Sequence, residues 1–480
     1  MRNELLVSLL VWAPCLGSFA LPLLGKISER LRNLVSLLFL LVSLGATVAL
    51  IPVVLKGTTV TVPFGGFNLF YADRLAVFMA FVSSLVGAVI ILYSFGYISH
   101  YEHRNEYYFQ VVLFLGAMMG LIFARNLLAL YVFWEITAIA CWRLIGFFRE
   151  KNHVVRADKA FLVTVFGALL MLVGFIIVYD QTGSFDLGKI QATLAGKTVS
   201  SVAVILILCG ILSKSATVPL HTWLPDAGVA PSPVTALLHA AVLVKIGVYV
   251  YARLFLVTFP VAEVWHTVVP AVAGVSALVA GGAALVETDL KRIIAYSTVS
   301  QIGFIFLGLS IGNIIGVAGG LLFILMHGIA KAGLFLCAGI IEQNAKTRDI
   351  TKLGGLISGM PVTGVAFIVC AFSVMGVPPM GGFFSKYMVL AGAVRSGHTA
   401  IAVIFLAGAV LTIIYLFRVF AMIFLGEPSA SLAPNVREGS RVMLVSVGIL
   451  AVLSIAAGVF FIFPSEFAQS VLLQMTGVTP

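Results

Sequence analysis

The chain has 480 residues, 61% of them hydrophobic and 10% charged, with a mean hydropathy of +1.12 and a formal net charge of +10. Such a balance excludes the soluble globular classes. Apolar runs of roughly eighteen residues or more recur along the whole length, the mark of an all-α, polytopic membrane protein. The positive charge contains no basic run of the kind a nucleic-acid surface needs, so no nucleic-acid partner is expected. It reads instead as loop Lys and Arg next to a lipid bilayer.

At the ~20 residues that a spanning helix requires, about fourteen spans are predicted. They fall near 5–24, 33–55, 74–98, 107–124, 127–148, 158–179, 200–219, 232–257, 267–286, 292–311, 314–342, 361–396, 400–425 and 441–463. The first, "LLVSLLVWAPCLGSFALPLL", is too long for a signal-peptide core and is read as a retained helix. With the N-terminus outside, the cytoplasmic loops collect Lys26, Arg30, Arg32, Arg104, Arg149, Lys151, Lys291, Arg292, Lys346 and Arg348 among others, and the opposite loops fewer, including Lys56, Lys189, Lys197 and Arg253. Both termini are therefore expected on the non-cytoplasmic side. No loop is long enough to form a soluble domain.

Two spans are interrupted. The seventh runs into "SKSATVPLHTWLPDAGVAPSP", with Pro219, Pro225, Pro231 and Pro233; the twelfth contains "MGVPPMGGFFSKYMVL", with Pro378 and Pro379 among glycines. Proline removes a backbone donor and clashes with the preceding turn, so breaks are expected at Pro219 and at Pro378–Pro379. A broken helix in lipid is tolerated only beside protein or water. Breaks in corresponding spans, each near a Ser-Lys pair (Ser213–Lys214 and Ser385–Lys386), point to an inverted repeat; the alternative is ordinary kinks in a crowded bundle.

Ionisable residues sit inside these apolar spans. Glu135 lies in "LLALYVFWEITAIACW", Lys214 in "ILILCGILSKSATV", His239 and Lys245 in "LLHAAVLVKIGVYVYARL", His327 and Lys331 in "LLFILMHGIAKAGLFLCAGII", and Lys386 after the second break. A lysine at a helix centre costs about 2.5–3.5 kcal/mol on insertion scales. Each alone has a bland reading: a lysine snorkels to the headgroups, a histidine hydrogen-bonds a neighbour, Glu135 neutralises a lysine. Taken as a set they must face the bundle interior, and His327 and Lys331, four residues apart, share one helix face. Proton relay along buried Lys, Glu and His groups is the chemistry they suit. Cys15, Cys141, Cys209, Cys337 and Cys370 form no CxxC pair, and "AGKT" at 195–198 lacks the first glycine of a phosphate loop. No cofactor, metal or catalytic centre is expected in the chain.

"SKSATVPLHTWLPDAGVAPSPVTALLHAAVLVKIGVY" resembles the signature of the antiporter-like membrane subunits shared by respiratory complex I, Mrp-type cation/proton antiporters and membrane-bound hydrogenases. "ETDLKRIIAYSTVSQIGF", "MHGIAKAGLFLCAG" and "GGFFSKYMVLAGA" match further blocks of that family in the same order, over roughly residues 70 to 425. The resemblance implies two inverted five-helix repeats: helices one to three over 1–106, the first repeat over 107–258, the second over 259–425 and a fourteenth helix within 426–480. It implies a proton-translocation series of Glu135, Lys214, His239, Lys245, His327, Lys331 and Lys386, with Glu135 paired to Lys214 and Lys386 near an exit. With the sequence ending at Pro480, the long lateral helix of one complex I class is not expected and the shorter paralogues are the expected match, while "GLFLCAGIIEQNAKTRD" leans toward the hydrogenase and archaeal-type complexes.

The main expectation is thus a proton- or sodium/proton-translocating subunit of a redox-driven complex in a prokaryotic-type cell membrane. Its partners would be other membrane subunits, homologous antiporter-like ones included, and a peripheral redox arm; the redox site would lie outside this chain, which leaves its standing as an enzyme open. The alternative is a subunit of a redox-independent Mrp-type Na+/H+ antiporter. A chain that itself binds quinone or metal is disfavoured by the missing ligand sets.

Overall fold

A computed structural model describes residues 2–64, 67–428 and 436–476. Met1 and 477–480, on which the placing of the termini bears, lie outside the described residues, as do 429–435. Twelve helices among the described residues are long and apolar enough to cross a membrane. In chain order these are α1 (Arg2–Ile27), α2 (Glu29–Leu55), α3 (Arg74–His100), α4 (Arg104–Phe123), α5 (Leu127–Ile145), α6 (Lys151–Thr182), α8 (Ser232–Thr258), α9 (Trp265–Val286), α10 (Leu290–Leu309), α11 (Ile314–Ala345), α13 (Thr399–Phe424) and α14 (Arg441–Val459). The remaining two spans are the broken ones. α7 runs over Ser201–Lys214 and resumes at Trp223–Asp226; α12 is Pro361–Met375 followed by Gly381–Arg395. A further helix, α15 (Ile462–Thr476), follows α14. The antiparallel pair β1 (Val60–Phe64) and β2 (Phe67–Ala72), in register Val60↔Ala72, fills the link before α3.

Both breaks follow the prolines. In α7 the chain turns at Ala216 (φ +51°), and the Val218 amide is taken up by Ser276 Oγ of α9 at 3.2 Å. Trp223 Nε1 donates to the freed Ser213 carbonyl at 2.9 Å. In α12 the first half-helix ends on Gly376 at φ +86°, a left-handed position that a side chain would strain. The freed carbonyls of Val374 and Met375 accept from Lys386 Nζ at 2.6 and 3.3 Å. These freed backbone groups thus find partners within the bundle, as a low-dielectric surrounding demands.

The inverted repeat is visible in the backbone. Asn126 caps α5, accepting from Leu128 N at 2.8 Å, and pairs with Asp186 beyond α6; Asp289 caps α10, accepting from Arg292 N at 3.1 Å, and pairs with Asp349 beyond α11. Matching bonds close each bridge: Leu127 N to Phe185 O and Leu187 N to Arg125 O, both 3.0 Å, against Leu290 N to Arg348 O at 2.8 Å and Ile350 N to Thr288 O at 3.0 Å. Each carries an Arg–Asp ion pair, Arg125–Asp186 at 3.2 Å and Arg348–Asp289 at 3.1 Å. In the second, the Thr351 hydroxyl and amide hold the Asp349 carboxyl below the usual carboxylate range. From the start of α5 to the start of α10 the chain makes five crossings, α5 to α9, an odd number, so the two bridges sit at opposite ends of the bundle.

α11 is buried over its whole apolar window and runs through the centre, with α3, α8 and α10 packed around it. Apolar residues all round a helix place it in the interior. α6 instead presents Leu162, Phe166, Leu169, Val173 and Ile176 outward at helical spacing, a lipid-facing stripe.

α8 departs from the continuous helix expected over 232–257. A π turn occupies Leu237–Ala241, Val242 leaves helical geometry (φ −134°, ψ −68°), and the helix restarts at Leu243. His239 lies within the π turn and Lys245 just after the restart, and π turns recur at functional sites.

Several charges read as loop residues are interior. Arg253 is 1% exposed and holds Asp73 in a two-pronged pair at 2.5 and 2.7 Å; Lys291 is 1% exposed and pairs with Glu342 at 2.6 Å; Arg32 is buried and donates to Asn105 at 2.5 Å. They sit in the end turns of their helices, Arg32 and Lys291 in the first and Arg253 in the next-to-last, where sequence alone cannot tell a solvated charge from a paired one.

Candidate functional site

The seven residues singled out from the sequence fall into two groups, Glu135 with Lys214 on α5 and α7, and His239, Lys245, His327, Lys331 and Lys386 on α8, α11 and α12. Lys214, His239, Lys245 and Lys331 are 0% exposed, His327 1% and Lys386 6%; Glu135 is half-buried. Snorkelling is therefore excluded for all four lysines in this conformation.

At one end, Lys214 and Glu135 are within electrostatic reach of each other across α7 and α5, with no hydrogen bond between them among the described residues. Lys214 Nζ donates instead to the carbonyl of Trp134, the residue before Glu135, at 3.1 Å, and lies 5.1 Å from the Trp134 ring centroid. The α7 helix ends on Lys214, and that fixes where its amine reaches. One Glu135 oxygen, Oε1, is buried without a hydrogen-bond partner.

The centre is built on α8 and α11. Lys245 Nζ has no hydrogen-bond partner among the described residues. It lies against Gly328, where an added Cβ would stand 3.0 Å from it, so that glycine makes room for the ammonium one residue from His327. His327 is within electrostatic reach of Lys245, Lys331, Lys386 and His239. Neither ring nitrogen of His239 or His327 has a partner among the described residues, and His239 packs on Phe335 with ring centroids 4.6 Å apart. Unpartnered buried polar groups are costly, and here three of them adjoin.

Lys331 is held differently. Its Nζ donates to Ile294 O at 3.2 Å and to Ser297 Oγ at 2.5 Å, and Ser297 is hydrogen-bonded to Tyr415 OH at 2.7 Å. Tyr415 donates to Thr412 Oγ1 at 3.3 Å, which also accepts from Gln301 Nε2 at 3.1 Å. This buried chain from α11 through α10 to α13 escaped the sequence reading, because a lone hydroxyl in an apolar helix usually bonds its own preceding turn, as Ser84 does with Ala80 O.

Lys386 closes the far end on the broken α12, 5.6 and 5.8 Å from the Phe304 and Phe323 rings. It is not the repeat counterpart of Lys214. Lys214 ends the half-helix before its break, whereas Lys386 lies in the half-helix after its own. The paired Ser-Lys motifs that suggested a match thus occupy different places; the prolines, not the lysines, mark the repeat.

Fold and site together define a polytopic, inverted-repeat membrane protein with a basic file at its core. A family model described as NADH:quinone oxidoreductase/Mrp antiporter, TM, matches residues 124–412, and one described as NADH-Ubiquinone oxidoreductase (complex I), chain 5 N-terminus, matches 63–108. The chain belongs to this NADH:quinone oxidoreductase/Mrp antiporter family. It is 34% identical over 430 residues to Na(+)/H(+) antiporter subunit A1 of Staphylococcus haemolyticus, covering 84% of this chain and 53% of that protein. For Na(+)/H(+) antiporter subunit A1 of Staphylococcus aureus the values are 33% over 457 residues, 88% and 57%. The chain thus spans little more than half the length of these curated relatives. Among solved structures it superposes on a chain of the Mrp complex from Dietzia sp. (TM-score 0.91, 24% identity, 99% of this chain and 98% of that one). It also superposes on a chain of the membrane-bound sulfane sulfur reductase, an archaeal respiratory membrane complex (TM-score 0.88, 25% identity, 98% and 97%).

Proposed function

We propose that this chain is a proton-translocating subunit of a redox-independent, Mrp-type cation/proton antiporter. The observation that carries the proton path is the unpartnered Lys245 amine beside His327 and Gly328 at the centre of the bundle. A lysine is costly there, and one kept without a counter-ion is suited to a proton relay. Glu135, Lys214, His239, Lys331 and Lys386 extend the path to either side, and the repeats over 107–258 and 259–425 act as its two halves, with 1–106 and 426–480 as flanks. The antiporter names of the curated relatives favour this reading over a redox-driven pump.

On this reading the partners are other membrane subunits, homologous antiporter-like chains among them, and a peripheral redox arm is not needed. Both termini face away from the cytoplasm of a prokaryotic-type cell. The redox-driven reading keeps one supporting observation, the superposition on the sulfane sulfur reductase complex.

The separating experiment is Na+-induced proton movement in everted vesicles whose pH gradient is set by ATP hydrolysis, with respiratory donors absent. Exchange that persists there, and is lost in Lys245→Ala, supports the antiporter. Exchange seen only while an electron donor is oxidised returns the chain to the redox-driven class.

A further inference from the structure

One face of α11 joins the buried centre to the membrane surface. Gly328, Lys331, Phe335, Gly339 and Glu342 follow at spacings of three and four, so they stack on a single helical stripe. Gly328 lies against Lys245, and Phe335 against His239. Gly339 is bare because Ser232 of α8 and Tyr93 of α3 close on it: an added Cβ would stand 2.5 Å from Ser232 Cβ and 2.7 Å from the Tyr93 hydroxyl. The stripe ends at Glu342, 27% exposed, on a cavity of about 310 Å³ also lined by Tyr97, Tyr101, Gln343 and Arg348.

Glu342 is the acidic group that links this cavity to the interior. It takes Lys291 Nζ at 2.6 Å, Ser232 Oγ at 3.2 Å and Tyr97 OH at 3.5 Å, with Arg348 at 3.7 Å. Lys291, Ser232 and Tyr97 are all nearly or wholly buried, so the carboxylate has a wet side and a dry side. Lys291 and Lys331 are both within electrostatic reach of His239, which stands two turns along α8 from Ser232. The file therefore has a water-facing carboxylate at its mouth, hydroxyls at the first step and an imidazole at the second. A surface ion pair that only stabilised the fold would not need a fully buried lysine partner, whose desolvation offsets most of the attraction.

We propose that Glu342, seated on Lys291, is the proton-loading group of this chain, passing protons from the cavity along the α11 stripe by way of Ser232 and His239 to Lys331 and Lys245. The inference rests on the proton-translocating reading above. A proton taken from cavity water onto the Glu342 carboxylate passes to the Ser232 hydroxyl as that hydroxyl gives its own proton to a water on its inner side, which delivers one to a ring nitrogen of His239 that has no partner among the described residues.

The test uses Glu342→Gln, Glu342→Asp and the double variant Glu342→Gln/Lys291→Met, with Lys245→Ala alongside, in vesicles from cells expressing the whole assembly. Na+-induced proton movement is read by a pH-sensitive dye and divided by the amount of chain in the membrane. Glu342→Gln is expected to slow exchange by roughly a hundredfold, the lower end of what a positioned proton-transfer group contributes, and Glu342→Asp to keep most of it. The double variant leaves no unpaired charge buried, so it assembles, and is expected to stay as slow as Glu342→Gln. Recovery of exchange in the double variant would overturn the proposal, since Glu342 would then only neutralise Lys291. Normal exchange in Glu342→Gln beside loss in Lys245→Ala would overturn it too while leaving the proton path standing; normal exchange in both would overturn the path itself.

Discussion

Lys245 and Gly328 are fitted to one another: the ammonium nitrogen of one occupies the space that a side chain on the other would fill, with 3.0 Å between Nζ and the position of an added Cβ. A lysine placed there meets neither a carboxylate nor a carbonyl at hydrogen-bond distance among the described residues. Its burial is therefore an expense that the fold alone does not explain.

This pairing predicts a graded series. Gly328→Ala brings a methyl to 3.0 Å, which the flexible lysine end accommodates by a small shift; exchange should slow modestly. Gly328→Val adds two further carbons against the amine and should stop exchange while the chain reaches the membrane in normal amount. Transport rates normalised to chain content check both. Equal rates in the two variants would mean that the position of the amine does not matter.

The hydroxyl chain on Lys331 predicts a second effect. Ser297→Ala leaves the amine with the Ile294 carbonyl alone at 3.2 Å and takes from Tyr415 its 2.7 Å partner. Loss of a buried hydrogen bond to a charged group costs about 1–3 kcal/mol, so the melting temperature in detergent should fall and exchange should slow. Tyr415→Phe leaves the Lys331–Ser297 bond in place and should do less. A Ser297→Ala protein with unchanged melting and unchanged exchange would remove this chain from the account.

Asp73 and Arg253 give a purely structural prediction. Asp73 caps α3 through the Ala76 amide at 2.9 Å and also pairs with the buried Arg253, whose Nε donates to Tyr249 OH at 3.1 Å. Asp73→Asn keeps the cap but strands the guanidinium, so stability should drop by about 3–5 kcal/mol. Adding Arg253→Met removes the stranded charge and should restore much of it. Thermal unfolding of the two variants decides, and additive losses would contradict the pairing.

These cases show what sequence could and could not supply. The breaks in α7 and α12 were legible because proline and glycine act locally, through a missing donor or a permitted φ. The buried Lys and His residues were legible because a charge in an apolar run is costly wherever the run folds. The π turn before Lys245 was not, since "LLHAAVLVK" contains neither glycine nor proline to mark it. Ser297, Tyr415 and Thr412 were hidden for the same reason: a hydroxyl declares its partner only in three dimensions. Lys291 and Arg253 looked like loop charges because their partners, Glu342 and Asp73, come from helices distant in sequence. The reading of Lys214 and Lys386 as repeat partners failed because a two-residue motif says nothing of which side of a break it occupies.

The central claim is that Lys245 gains and gives up a proton in each cycle, and one comparison tests it most directly: Na+-driven proton movement in vesicles carrying Lys245→Arg against Lys245→Ala. Arginine retains a charge in the same place but stays protonated. The account predicts that both variants assemble and that neither exchanges protons. Normal exchange by Lys245→Arg, with Lys245→Ala failing only through poor assembly, would contradict it and leave Lys245 a structural cation.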